Sequence, residues 1–149
     1  MMVLYDKLYR SEDHSGLNIK EYLPPLVKQI VSVFKTDIPV ETSIHVKEFV
    51  LRADLLSPIG IIINELITNS MKYAFKGYSS GKIEISAVKK GRTVTVIYKD
   101  NGTGLPESVS FEQSSGFGMQ LISMLVQQIN AEVEIQRNGG AGFILTFDI

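Results

Sequence analysis

Asn64-Glu65-Leu66-Ile67-Thr68-Asn69-Ser70-Met71-Lys72-Tyr73-Ala74-Phe75 carries two patterns at once. Together with the residues just before it, the segment places Ile59, Ile62, Ile63, Leu66, Ile67 and Ala74 at helical spacing, forming one apolar face. The opposite face carries Glu65, Asn69 and Lys72 at i, i+4 and i+7, which an α-helix stacks in one line. Ser57 is expected to cap this helix and Pro58 to occupy its first position. A solvated helix face is the simplest account of such a line. A carboxylate, an amide and an ammonium one turn apart can also serve a water, a Mg²⁺ and a phosphate. The amide oxygen of Asn69 suits Mg²⁺, which keeps several waters and takes further oxygens from phosphates. Glu65 could polarise a water or hydroxyl, and Lys72 could neutralise phosphate charge.

Working outward, Met1 to Arg10 reads as the end of a helix, with Leu4 and Leu8 four apart, followed by a polar linker from Ser11 to Gly16. Ile19 to Phe34 has a helical apolar stripe, with Pro24 and Pro25 either in its first turn or delaying its start. Ile44 to Leu51 reads as a short strand. Beyond the central helix, Ile83, Ile85 and Ala87 alternate, as do Val94, Val96 and Tyr98, and Lys90-Gly91 lies between the two runs as a hairpin turn. Gly116-Phe117-Gly118 opens another helix, with Leu121, Ile122, Leu125, Val126 and Ile129 inward. Val133 and Ile135, then Phe143, Leu145 and Phe147, close the chain as a second hairpin around Asn138-Gly139-Gly140. Helices and hairpins are segregated rather than alternating, which predicts an α+β layer.

Composition removes much chemistry. A length of 149 residues fits one domain, and 44% hydrophobic content rules out a wholly disordered chain. Fifteen Lys plus Arg against sixteen Asp plus Glu leave a net charge of −1, a poor basis for nucleic-acid binding. The absence of Cys removes disulfides, thiolate zinc sites, iron–sulfur clusters and a Cys nucleophile. Two histidines, His14 and His45, are too few for a multi-histidine metal site and a weak basis for a Ser-His-Asp triad. The apolar run Pro58 to Ile63 meets Asn64 and Glu65 well short of the ~20 residues that a bilayer requires. No signal peptide is evident at the N-terminus. The expectation is a cytoplasmic chain, or the cytoplasmic part of a larger sensor, with no membrane contact of its own.

Gly77 to Lys82 has the look of a phosphate loop, but only three residues separate its glycines and Ile83 follows the lysine, so it reads as a turn. Asp100-Asn101-Gly102-Thr103-Gly104 ends the second strand of the first hairpin. Asp-Asn-Gly is common turn chemistry. An ionised Asp at a strand end, beside glycines that let a ligand approach, can also accept a hydrogen bond from an exocyclic amine such as that of adenine. Gly116 and Gly118 can bare the first N–H groups of a helix, whose dipoles favour phosphate.

In that order along the chain, these stretches resemble the boxes of the GHKL ATP-binding superfamily, which contains histidine kinases, gyrase, mismatch-repair ATPases and the ninety-kilodalton heat-shock chaperones. Asn64 to Phe75 resembles its asparagine box, Asp100 to Glu107 its first glycine box, and Ser115-Gly116-Phe117-Gly118-Met119 its second. Gly140 to Phe147 resembles the closing strand. Leu8-Tyr9-Arg10-Ser11 followed by Ile19-Lys20-Glu21-Tyr22-Leu23 is similar to the junction before the ATP domain in sensor histidine kinases of the HisKA_2 type. The resemblance implies a Bergerat-type two-layer α/β sandwich, a mixed and mostly antiparallel sheet packed on about three helices. ATP would lie beneath a lid running from Leu105 to Ser115. It implies that residues 1–16 are the remnant of a dimerisation-hairpin helix plus linker, and that residues 17–149 are the catalytic domain.

Carried over by position, the resemblance makes Asn69 the Mg²⁺ ligand and Asp100 the adenine-binding carboxylate. Gly102 and Gly104 would shape the adenine pocket, Gly116 and Gly118 would let the lid and helix N-terminus meet the phosphates, and Leu105, Phe117 and Met119 would be further nucleotide-binding positions. Glu65 sits where the superfamily's ATPases place a general base and its kinases a positioning carboxylate. Lys72 and Tyr73 would contact phosphate and adenine. Neither His14 nor His45 matches the family's phosphoacceptor motif. The expectation is therefore a histidine kinase domain that uses ATP and Mg²⁺, with its acceptor histidine on a dimerisation domain outside this chain. Its partners would be that domain and a response regulator, in a full-length homodimer. An anti-sigma-type serine kinase and a non-catalytic nucleotide-binding module of the same fold are the alternatives.

Overall fold

The computed structural model describes residues 16–34, 38–103, 117–136 and 139–149. In chain order the elements are β1 (Leu17–Asn18), α1 (Ile19–Val33), β2 (Val40–Val46), β3 (Val50–Leu51), α2 (Ala53–Asn69), a π-helical turn (Ser70–Ala74), β4 (Gly81–Lys90), β5 (Thr93–Asp100), α3 (Phe117–Gln128), β6 (Glu132–Gln136) and β7 (Gly142–Asp148). The predicted first helix lies outside the described residues.

Asn18 caps α1, its side-chain oxygen accepting the Lys20 N–H at 3.0 Å. Ile19, Leu23, Leu26, Val27 and Ile30 form the buried stripe of this helix. Pro24 and Pro25 neither delay its start nor sit in its first turn, because they lie in the second turn. There they withhold the N–H groups that would reach the carbonyls of Lys20 and Glu21. The stripe that begins at Ile19, four residues ahead of Leu23, outweighs that loss.

The central helix also begins earlier than Ser57. It starts at Ala53, with Arg52 as a cap residue that supplies no side-chain bond. The Arg52 carbonyl accepts the N–H groups of both Leu55 and Leu56 at 3.0 Å. Leu56 is fully buried, so it extends the apolar face of Ile59 and Ile63 by one turn and draws the preceding residues into the helix. Pro58 then sits inside the helix rather than at its first position.

The predicted strand from Ile44 to Leu51 divides. β2 pairs in parallel with β4 from Val40↔Gly81 to Val46↔Ala87, and Lys47 donates its N–H to the Ala87 carbonyl at 3.0 Å. β3 turns away to pair antiparallel with β1. Both hairpins form as the alternation predicts, and the main sheet runs β2-β4-β5-β7-β6. Only its β2–β4 neighbours are parallel, so the sheet is mixed and mostly antiparallel.

One face of that sheet is buried. Ile83, Ile85 and Ala87 of β4 meet Val94, Val96 and Tyr98 of β5, with Phe143, Leu145 and Phe147 of β7 beside them. The three helices cover this face and form the second layer of the predicted sandwich. Where α2 and α3 meet the sheet, the packing leaves a void of only about 20 Å³, room for no more than about one water.

Candidate nucleotide site

Asp100 ends β5 on the buried face, two residues beyond Tyr98, because side chains alternate along a strand. It is only 6% exposed, and its carboxylate is anchored at both oxygens. Oδ1 accepts the N–H of Gly102 at 3.0 Å and that of Ala141 at 3.1 Å. Oδ2 accepts the Ser70 hydroxyl at 2.6 Å. A carboxylate has about four acceptor positions, and these bonds occupy three of them.

Ser70 follows Asn69 directly and opens the π-helical turn. Such turns widen the helix locally and recur at functional sites. Ser70 faces the sheet, buried, while Asn69 is half-exposed beside it and makes its own contact. The Ser70–Asp100 bond therefore brings the asparagine-bearing helix and the Asp-Asn-Gly turn to one place. Tyr98 completes the group, its hydroxyl 2.6 Å from Ser70 Oγ and 3.2 Å from the Leu66 carbonyl. Burial pushes the Tyr98 phenol far above its ordinary range, the Ser70 bond opposes that rise and the Asp100 charge adds to it. The phenol thus stays protonated.

The turn after β5 is clamped on the other side. Thr103 donates its N–H to the Ala74 carbonyl at 2.8 Å, and Gly102 is buried against Ala74. Gly140, at φ +122°, lies so close to Asp100 that a Cβ would stand 2.0 Å from its carbonyl oxygen. Only glycine combines that backbone with that approach. Asn101 Oδ1 accepts the Lys82 N–H at 2.8 Å and so pins the turn to β4.

Of the other predicted residues, Glu65 lies half-buried on α2, one turn before Asn69. Lys72 is exposed but sits in the π-helical turn, so the straight line through Glu65 and Asn69 does not run on to it as an α-helix would carry it. Tyr73 is 60% exposed, and Lys76 Nζ stands 5.8 Å from its ring centroid. Phe117, Gly118 and Met119 form the first turn of α3. Gly104, Leu105, the lid from Leu105 to Ser115, Gly116 and His14 lie outside the described residues. His45 is exposed on β2, its Nε2 2.9 Å from Ser43 Oγ.

Sequence reasoning missed Ser70 and Tyr98. The signal was present: both are hydroxyl-bearing residues on otherwise apolar faces, Ser70 beside Ile67 and Ala74, Tyr98 after Val94 and Val96. Among the described residues no group of three or more His, Cys, Asp or Glu could hold a metal ion. The donors present are the Asn69 amide and the Glu65 carboxylate, hard oxygens that suit a Mg²⁺ whose remaining ligands are water and phosphate.

Residues 56–149 match the family described as histidine kinase-, DNA gyrase B-, and HSP90-like ATPase. The chain belongs to this family. Among its relatives, blue-light-activated histidine kinase 2 of Erythrobacter litoralis is 31% identical over 124 residues, covering 83% of this chain and 32% of that protein. Sensor histidine kinase PdtaS of Mycobacterium tuberculosis is 28% identical over 125 residues, covering 83% of this chain and 25% of that protein. The chain thus spans about a third or less of the curated relatives it matches. The histidine kinase domain of a blue-light-activated kinase from Erythrobacter litoralis shares the fold with a TM-score of 0.80 at 23% identity, covering 98% of this chain and 69% of that one. The ATP-binding domain of PrrB from Mycobacterium tuberculosis gives 0.70 at 22%, covering 92% and 98%. The three-helix layer on a mixed five-stranded sheet is the fold of these domains. Among the described residues no helix is long and apolar enough to cross a membrane.

Proposed function

We propose that this chain binds ATP with Mg²⁺ and transfers the γ-phosphoryl group to a histidine on a dimerisation domain outside residues 1–149. The observation that carries this reading is the buried Asp100 carboxylate, held by Ser70 against the helix that bears Asn69; its fourth acceptor position would take the adenine amine. Asn69 would ligate Mg²⁺, which when bound neutralises charge on the phosphates, and Glu65 would position the metal or the acceptor. Lys72 would contact phosphate and Tyr73 the adenine side. Gly102, Gly104 and Leu105 would shape the base pocket, and Gly116, Phe117, Gly118 and Met119 would let the start of α3 approach the phosphates. Catalysis is then positioning and charge neutralisation: an imidazole nitrogen attacks the γ-phosphorus, the bond to the β-phosphate oxygen breaks, and ADP leaves.

The full protein would act in the cytoplasm as a homodimer, pass its phosphoryl group to a response regulator and bind no nucleic acid. Residues 1–16 would be the stub of the dimerisation hairpin and 17–149 the catalytic domain. The test mixes the chain with a separate hairpin carrying an acceptor histidine and γ-labelled ATP. Acid-labile label on the hairpin is the expected result. Acid-stable label would indicate a serine kinase, and no label from a folded, ATP-bound chain would refute catalysis.

A further inference from the structure

We propose that Ser70, oriented by Tyr98, is a positioning residue that fixes Asp100 as an acceptor only and so sets the preference for a 6-amino over a 6-oxo purine. The inference rests on Asp100 being the base-binding carboxylate. Tyr98 has one hydroxyl proton and two acceptors in reach, Ser70 Oγ at 2.6 Å and the Leu66 carbonyl at 3.2 Å. Because the Ser70 proton goes to Asp100, the short contact takes its proton from Tyr98, which also leans on the Leu66 carbonyl at a longer distance.

Ser70 Oγ, occupied as an acceptor by Tyr98, gives its own proton to Asp100 Oδ2 at 2.6 Å. With Gly102 and Ala141 donating to Oδ1 and Ser70 to Oδ2, Asp100 accepts three hydrogen bonds, and the Tyr98 hydroxyl stands behind Ser70. The fourth acceptor position, on Oδ2, would then meet an incoming base as an acceptor. An exocyclic amine satisfies it, whereas a ring carbonyl would oppose it oxygen to oxygen with no proton between. Removing the serine hydroxyl leaves space for a water, which donates as readily as it accepts and does not discriminate.

The group is buried throughout, with Tyr98 at 1%, Ser70 at 3% and Asp100 at 6% exposure, so solvent does not substitute while the serine is present. No hydrogen-bonding side-chain atom in the described interior is left without a partner. The three side chains therefore form one connected chain that ends on Asp100.

The experiment measures the affinity of the full chain for ATP and for inosine triphosphate, with Mg²⁺, by calorimetry. Ser70→Ala is expected to weaken ATP about tenfold, the worth of a lost buried hydrogen bond, while changing inosine triphosphate less than threefold. Tyr98→Phe should narrow the preference in the same direction by a smaller factor, and Ser70→Thr, which keeps the hydroxyl, should restore it. Equal losses for both nucleotides in Ser70→Ala and Tyr98→Phe would mean a merely structural role and would overturn the inference while leaving the ATP site intact. Equal affinity of the unaltered chain for the two nucleotides would overturn the adenine reading and this inference with it.

Discussion

Gly102 is packed so tightly against Ala74 that a methyl group on it would stand 2.2 Å from the Ala74 carbonyl oxygen. The same carbonyl accepts the Thr103 N–H, so the turn after β5 and the end of the asparagine-bearing helix share one seam. Gly102→Ala must open that seam. It would also shift the Gly102 N–H away from Asp100 Oδ1. A loss of about 1–3 kcal/mol in denaturant unfolding is expected, with weaker ATP binding. Unchanged stability and affinity would show that the contact yields freely.

Asn69→Ala tests the metal side separately from the base side. Titrations with and without Mg²⁺ should show that the variant loses most of the Mg²⁺-dependent gain in ATP affinity, by at least the ~10–100-fold that loss of a supporting metal partner costs. Affinity for adenosine, which has no phosphate, should stay within threefold. An Mg²⁺ effect equal to that of the unaltered chain would remove Asn69 from the metal.

How far the sequence reached can be judged from α2. Its apolar face was legible because Ile59, Ile62, Ile63, Leu66 and Ile67 repeat at helical spacing, and each is buried. The hairpins were legible for the same reason at a period of two. The start of α2 was not, because Ser57-Pro58 is a strong local cap signal, whereas the tertiary burial of Leu56 that overrides it leaves no local trace. The π-helical turn was equally hidden, since the residues from Ser70 to Ala74 include nothing that forbids an α-helix. Asp100 was found from its strand-end position beside glycines. Ser70 and Tyr98 were not, because their role exists only when segments 28 and 30 residues apart come together.

Pro25 offers a gain in stability. It is exposed in the second turn of α1, where its ring withholds an N–H from the Glu21 carbonyl. Proline costs about 3 kcal/mol relative to alanine inside a helix, offset by about 1 kcal/mol from the stiffer unfolded chain. Pro25→Ala should therefore stabilise by about 2 kcal/mol, read as a higher denaturant midpoint with an unchanged slope. A lower midpoint would mean that the proline shapes α1 usefully.

Alkaline pH should expose the buried phenols. Burial raises the Tyr22 hydroxyl to about 12, and it lies in the α1–α2 contact beside Gly60. A folded-state value above the unfolded value of about 10 means the contribution is complete below pH ~10 and lost as pH rises toward 12. Stability should fall across that window, and Tyr22→Phe should reduce the slope by about one proton per molecule. Parallel slopes for the two proteins would place the titrating group elsewhere.

The parallel pairing of β2 with β4 has a kinetic consequence. Val40 lies opposite Gly81, and β3, α2 and the π-helical turn make up the connection between them. Strands so far apart in sequence meet slowly, because the entropy of closing the loop is lost before any pairing is gained. A helix in that connection shortens the search, and this one carries Glu65 and Asn69. Zipping the parallel edge and delivering those two side chains to the site are one event, so substitutions that unravel α2 should slow refolding as well as weaken binding.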